Sequence, residues 1–115
     1  MQIEKDGWIS QIRKGVLELA ILALLKQREM YGFEIVSSLR ERPELAISAG
    51  TIYPLLSRLK KTELIDSVWR ESPVGPPRKY YSLTAKGAGE LAEMASAWFS
   101  ISNNLSELLN GGTSE

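Results

Sequence analysis

The chain has 115 residues, 43% hydrophobic and 24% charged, which is enough for one small globular domain and too little for two separate cores. It contains neither Cys nor His, which excludes disulfides and thiolate chemistry and removes the commonest general base, the commonest zinc ligand and the usual partner of a serine nucleophile. Its 14 Lys and Arg balance its 14 Asp and Glu, so the net charge gives no hint of a nucleic-acid partner.

The distribution of charge does give one. Residues 51–86 carry seven cations (Arg58, Lys60, Lys61, Arg70, Arg78, Lys79, Lys86) against three anions (Glu63, Asp66, Glu71). Residues 87–115 carry only Glu90, Glu93, Glu107 and Glu115. Such a layout can orient a near-neutral molecule on a polyanion. An enzyme would have to work with carboxylates, lysines or tyrosines alone, and no glycine loop suited to phosphate is present. No catalytic residue, cofactor or metal site is therefore expected. The opening MQIEKDGW has no basic region leading into an apolar core, and the longest apolar run, Leu19 to Leu25, is too short to span a bilayer. A cytoplasmic protein with no membrane contact is the expectation.

The first helix is expected from about Trp8 to Lys26. Ile12, Val16, Leu19, Ala20 and Ala23 form one apolar stripe, and Leu17, Ile21, Leu24 and Leu25 cover another side. A helix apolar nearly all round is buried nearly all round. A small chain has little with which to cover both sides, so a second subunit is expected against it; the alternative cover is the last helix of the same chain. Gln27 to Met30 reads as a polar turn. A second helix follows from Tyr31 to about Glu41, with Gly32, Ile35, Val36 and Leu39 inward, and Pro43 ends it. Glu44 to Ile47 has room for a very short strand.

The third helix holds the stretch SAGTIYPLLSRLKK. Ile52, Leu55, Leu56 and Leu59 make its apolar stripe, and Gly50, Tyr53, Pro54, Ser57, Arg58 and Lys61 fall around the other side. That outer side has hydroxyls, one aromatic and two cations but no acid, as a surface kept clear for a polyanion would. Either Ser48 or Gly50 can cap this helix; Pro54 lies in the second turn in the first case and in the first turn in the second. Two strands come next, Leu64–Glu71 and Lys79–Leu83, joined by the loop SPVGPPR. Thr84 then caps a last helix reaching about Leu109. In it Leu91, Trp98 and Leu105 recur every seven residues, as do Met94, Ile101 and Leu108, interleaved as the a and d positions of a coiled-coil seam. Residues 110–115 read as a flexible tail.

Three helices, a two-stranded wing and a long helix make a mainly α fold with a small β-hairpin: a winged helix-turn-helix over residues 1–83, its first helix serving dimerisation, and a C-terminal dimerisation helix over 84–109. The blocks TIYPLLSRL and RKYYSLTAKG, in that order, together with GVLELAILALLKQREMYGFEIVSSL before them, resemble the PadR family of bacterial transcriptional regulators. The likeness covers roughly residues 10 to 109, and the single last helix is similar to the short PadR subfamily. One departure stands out: PadR proteins usually have Gly where this chain has Glu63, just past the third helix.

The resemblance implies a homodimer held by the first and last helices, with Leu17, Ile21, Leu91, Met94, Trp98, Ile101, Leu105 and Leu108 at the interface. It implies double-stranded DNA as partner, a (pseudo)palindromic operator and, by family habit, repression. By chemistry, the Thr51 and Ser57 hydroxyls suit phosphates or base edges, Tyr53 suits sugar or phosphate, and Pro54 suits an apolar contact. Arg58 and Lys61 suit phosphate or guanine, and Arg78 and Lys79 on the wing suit the backbone or the minor groove. Tyr80 and Tyr81 are expected to split, one under the wing and one near DNA. Trp98 is bulky for a tight seam. Some short PadR proteins resemble this chain in placing a tryptophan there to line a pore for flat aromatic molecules. The candidate lining here is Trp98 with Ile12, Val16, Ile101 or Ser102, and a planar aromatic effector is the implied ligand; the alternative is that Trp98 simply fills a hydrophobic interface. A rival expectation is a winged helix that binds only protein.

Overall fold

The computed structural model describes residues 5–111. Helix α1 (Lys5–Gln27) leads into a two-residue strand β1 (Met30–Tyr31) and helix α2 (Gly32–Arg40). A single 3₁₀ turn (Pro43–Leu45) precedes helix α3 (Ala49–Lys61), strands β2 (Ile65–Arg70) and β3 (Arg78–Leu83) form the wing, and α4 (Ala85–Leu109) closes the chain. The fold is the expected winged helix-turn-helix with a long C-terminal helix.

Its core is one apolar cluster. Leu17, Ile21 and Leu22 of α1, Ile35 of α2, and Ile52 and Leu56 of α3 have no exposed surface, and Leu39, Leu59 and Ile65 are buried beside them. At 100° per residue each helix turns one stripe into this cluster. The sheet covers one end of it through Met30, Ile65 and Tyr81.

Two local expectations are corrected. The polar turn expected over Gln27–Met30 is shorter, because Met30 and Tyr31 pair antiparallel with Tyr81 and Tyr80. The wing is therefore a three-stranded sheet of order β1-β3-β2 rather than a bare hairpin. A two-residue strand is too short to show period-two alternation, so only the long-range pairing reveals it. The strand expected over Glu44–Ile47 is instead the 3₁₀ turn, closed by Leu45 N–H to the Arg42 carbonyl at 2.8 Å and Ala46 N–H to the Pro43 carbonyl at 3.3 Å. Pro43 fits the first position of such a turn, where its fixed φ helps and its missing amide costs nothing.

The start of α3 is settled in favour of Ser48 as N-cap, extended at φ −73° and ψ 154°. Its carbonyl accepts from the amides of Thr51 (3.0 Å) and Ile52 (3.2 Å). Its hydroxyl caps no amide and lies 3.5 Å from the Thr51 hydroxyl. Pro54 accordingly sits inside the helix. The end of α3 explains the unusual Glu63. This residue has φ +67°, and Leu64 N–H donates to the Leu59 carbonyl while Glu63 N–H donates to the Lys60 carbonyl, both at 3.0 Å. That pair of bonds is the Schellman ending, which places its C′ residue in the left-handed region glycine prefers.

The same turn anchors α4. The Thr84 hydroxyl donates to the Glu63 carbonyl at 2.7 Å and accepts from the Gly87 amide at 2.9 Å. The Thr84 amide donates to the Leu64 carbonyl at 3.1 Å. Gly87 lies flat on this turn: a Cβ there would overlap the Leu64 carbonyl oxygen. The cap of α4 and the end of α3 are thus one hydrogen-bonded unit, which fixes the direction of the last helix relative to α3. Asn110 and Gly111 form the turn after α4; residues 112–115 of the expected tail lie outside the described residues.

Candidate nucleic-acid interface

Helix α3 turns Gly50, Pro54, Ser57 and Lys61 straight out from the core, and all four are exposed. Thr51 and Arg58 flank that line on the side of α1, where they share a groove with Lys14, Leu17, Pro54 and Leu55. Tyr53 flanks it on the other side, toward α2 and the wing. Its ring lies across Gly32, where a Cβ would come within 2.5 Å of the phenol oxygen. Gly32 therefore has no side chain because Tyr53 needs the space.

Strand β3 turns its two cations, Arg78 and Lys79, to opposite faces. Cross-strand partners are Trp69 with Lys79 and Arg70 with Arg78, and successive residues alternate. On the face toward the core, the Lys79 ammonium stands between the rings of Trp69 (5.8 Å) and Tyr81 (6.0 Å). On the outer face, Arg78 lies over Tyr31 at 4.4 Å. The tyrosine pair splits as expected in one respect: Tyr81 is buried under the wing, while Tyr80 is half-buried on the outer face. Burial, with the Tyr53 hydroxyl nearby as the second cause, pushes the Tyr81 phenol above its usual 10.0. The neutral form is the one the fold favours, so the stability it confers is present below about pH 10 and lost as the pH climbs beyond that.

A groove of about 390 Å³ runs between the start of α2, the second turn of α3 and the wing. Tyr53, Arg78 and Lys79 come together along it with Gly32, Phe33 and Trp69. Phe33 and Trp69 are each more than 60% exposed, and neither stood out in the sequence. The signal for Trp69 was its pairing with Lys79, which follows once the hairpin register is known.

Arg58 is placed differently from expectation. It forms an ion pair with Glu18 of α1. The face of α3 is free of acids in its own sequence, but α1 supplies one from outside. An exposed pair of this kind contributes at most about 1 kcal/mol, so it modifies Arg58 without removing it from the surface.

The expected effector residues are partly brought together. Ile12, Val16 and Trp98 line an apolar groove of about 350 Å³ with Leu19, Ala20, Ala23 and Leu45. Arg13 closes its rim by donating to the Glu44 carbonyl at 2.9 Å. Ile101 and Ser102 lie one turn further along α4 and are not part of this lining. Of the expected interface residues, Leu17 and Ile21 are fully buried and Leu91 nearly so within the chain's own core. They are core positions of the chain itself and offer a partner no surface. Trp98, Ile101, Leu105 and Leu108 are 40–73% exposed, and Met94 packs partly against the core.

Three helices around one core, with a sheet that carries cations beside the third, define a winged-helix DNA-binding protein. The sequence pattern of the transcriptional regulator PadR-like family matches residues 21–93, and the chain belongs to that family, whose members are DNA-binding regulators and not enzymes. A PadR-like transcriptional regulator of Bacillus cereus is 41% identical, with a TM-score of 0.79 over 86% of this chain and 96% of its own. A PadR family regulator of Eggerthella lenta is 32% identical, with a TM-score of 0.82 over 90% of each chain. An uncharacterized protein of Lysinibacillus sphaericus is 30% identical over 104 residues, 89% of this chain and 95% of that protein. Among the described residues no helix is long and apolar enough to cross a membrane, and no cluster of acidic side chains could hold a metal ion.

Proposed function

We propose that this regulator is a cytoplasmic repressor that binds a palindromic operator as a homodimer and is released by a planar aromatic molecule. The observation that carries the DNA reading is the continuous surface made by the outward line of α3 and the wing groove. It presents Lys61, Arg78 and Lys79 with Tyr53, Ser57 and Pro54 and no acid side chain of its own. Two copies related by a two-fold axis would set their α3 helices into successive major grooves about 34 Å apart. Support for the dimer comes from the second half of α4, where Ile101, Leu105 and Leu108 continue the apolar seam with 50–73% of their surface exposed. In this reading residues 5–83 form the DNA-binding unit and 84–109 the dimerisation arm. The apolar groove beside Trp98 has the size and character of a small-molecule site, and it lies on the helices that would set the spacing of the two reading heads.

The test is a titration of the DNA upstream of the protein's own gene across a salt series, with and without a planar cationic dye. Binding that weakens with salt is expected, with Lys61→Ala and Lys79→Ala each lowering the log–log slope by ~0.9 for a lost phosphate contact. Dye is expected to release the DNA from wild type and not from Trp98→Ala. Affinities and slopes unchanged in both lysine variants would sink the DNA assignment of these residues. Equal dye response in Trp98→Ala would sink the effector site alone.

A further inference from the structure

The outer face of the wing carries an arrangement that DNA binding by itself does not require. Arg70 and Arg78 stand directly opposite each other across β2 and β3, a register that brings like charges together at a cost. The structure resolves this by turning them apart. Arg70 lies over the Tyr80 ring at 5.1 Å and pairs with Glu29. Arg78 turns the other way, over Tyr31 at 4.4 Å, and has no carboxylate within ion-pair distance among the described residues. The two rings meet edge to face, with centroids 5.4 Å apart and planes at 62°.

Tyr31 is itself held from three sides. Its backbone pairs with Tyr80 in β1, its amide donates to the Glu34 carboxylate at 3.1 Å, and it is the N-cap residue of α2. Strand β1 thus fastens an aromatic plate to the helix-turn-helix, and the guanidinium of the wing rests on that plate. A planar guanidinium stacked on a fixed ring keeps all its N–H donors free at the edge. It also loses less rotamer freedom when a phosphate arrives, because the side chain is already ordered.

We propose that Tyr31 is a positioning residue that acts through Arg78, holding the wing's uncompensated cation ready for a DNA phosphate. This deepens the DNA reading above and rests on it. The test compares wild type, Tyr31→Phe, Tyr31→Leu, Arg78→Ala and the Tyr31→Leu/Arg78→Ala double variant on the same promoter DNA across a salt series. Arg78→Ala is expected to weaken binding and reduce the salt slope by ~0.9. Tyr31→Leu should weaken binding roughly three- to tenfold, Tyr31→Phe should match wild type, and the double variant should be no weaker than Arg78→Ala alone. Should Tyr31→Leu fail to fold, Arg78→Lys keeps the charge and loses the planar stack, and it should weaken binding by a similar factor; wild-type affinity in that variant would overturn the proposal. Loss of binding in Tyr31→Phe would make the hydroxyl a direct contact, and additive losses in the double variant would make the two residues independent; either result removes this assignment and leaves the DNA reading intact. Wild-type affinity and slope in Arg78→Ala would remove this assignment and Arg78 from the DNA surface, while Lys61→Ala and Lys79→Ala continue to test the DNA reading itself.

Discussion

The two halves of α4 carry the same heptad pattern and meet different surroundings. Gly87, Leu91 and Met94 in the first half pack on the α3–β2 turn and the chain's own core. Trp98, Ile101, Leu105 and Leu108 in the second half continue the same seam with 40–73% of their surface exposed. Periodicity specifies which face of a helix is to be covered and says nothing about what covers it. The first half answers that question within the chain, through a hydrogen-bonded cap and a glycine contact. The second half leaves it to another surface.

The anchored half of α4 is most sensitive at Gly87. Gly87→Val would drive a branched side chain into the Leu64 carbonyl. We expect at least about 3 kcal/mol of destabilisation, read as a thermal transition lowered by roughly 10 °C. A transition within a degree or two of wild type would show that α4 is free to shift and that its first half is not anchored as described. A second pair of variants separates the two kinds of apolar position. Leu17→Ala, at a residue with no exposed surface, should cost ~2–5 kcal/mol at any protein concentration. Leu105→Asp should instead leave the far-ultraviolet spectrum intact and raise the dimer dissociation constant by roughly tenfold or more, measured by sedimentation. Equal sedimentation of Leu105→Asp and wild type would mean that the second half of α4 is not an interface. The smallest effect concerns the turn between α3 and β2. Glu63→Gly should raise stability by about 0.5–1 kcal/mol, since Glu63 occupies φ +67° and glycine takes that conformation without the Cβ penalty. A lower transition temperature would point to a contribution of the Glu63 side chain that outweighs the backbone cost.

Much of this architecture was legible in the residues. The stripes of α2 and α3 name the core positions that are found buried, and Thr84 caps α4 as its hydroxyl suggests. What escaped were features made by pairing at long range. Strand β1 exists only because Tyr80 and Tyr81 lie beside it. Glu18 blunts the acid-free face of α3 from another helix, forty residues before the Arg58 it pairs with. Trp69 joins Lys79 only through the hairpin register. The resemblance implies a subunit interface that includes Leu17 and Ile21, whereas both are fully buried in the chain's own core. In each case the local pattern was sound and the identity of the neighbour was not contained in it.

Pro54 has a consequence of a different kind. With Ser48 as the cap, Pro54 lies within the helix and has no amide to give to the Gly50 carbonyl four residues back. Both residues belong to the outward line of α3, a face otherwise composed of cations and hydroxyls. The proline thereby leaves that main-chain oxygen without the helical partner its neighbours keep. Because it belongs to the backbone, no exchange of side chain at Gly50 can alter its chemistry; only replacing Pro54 could return it to the helix.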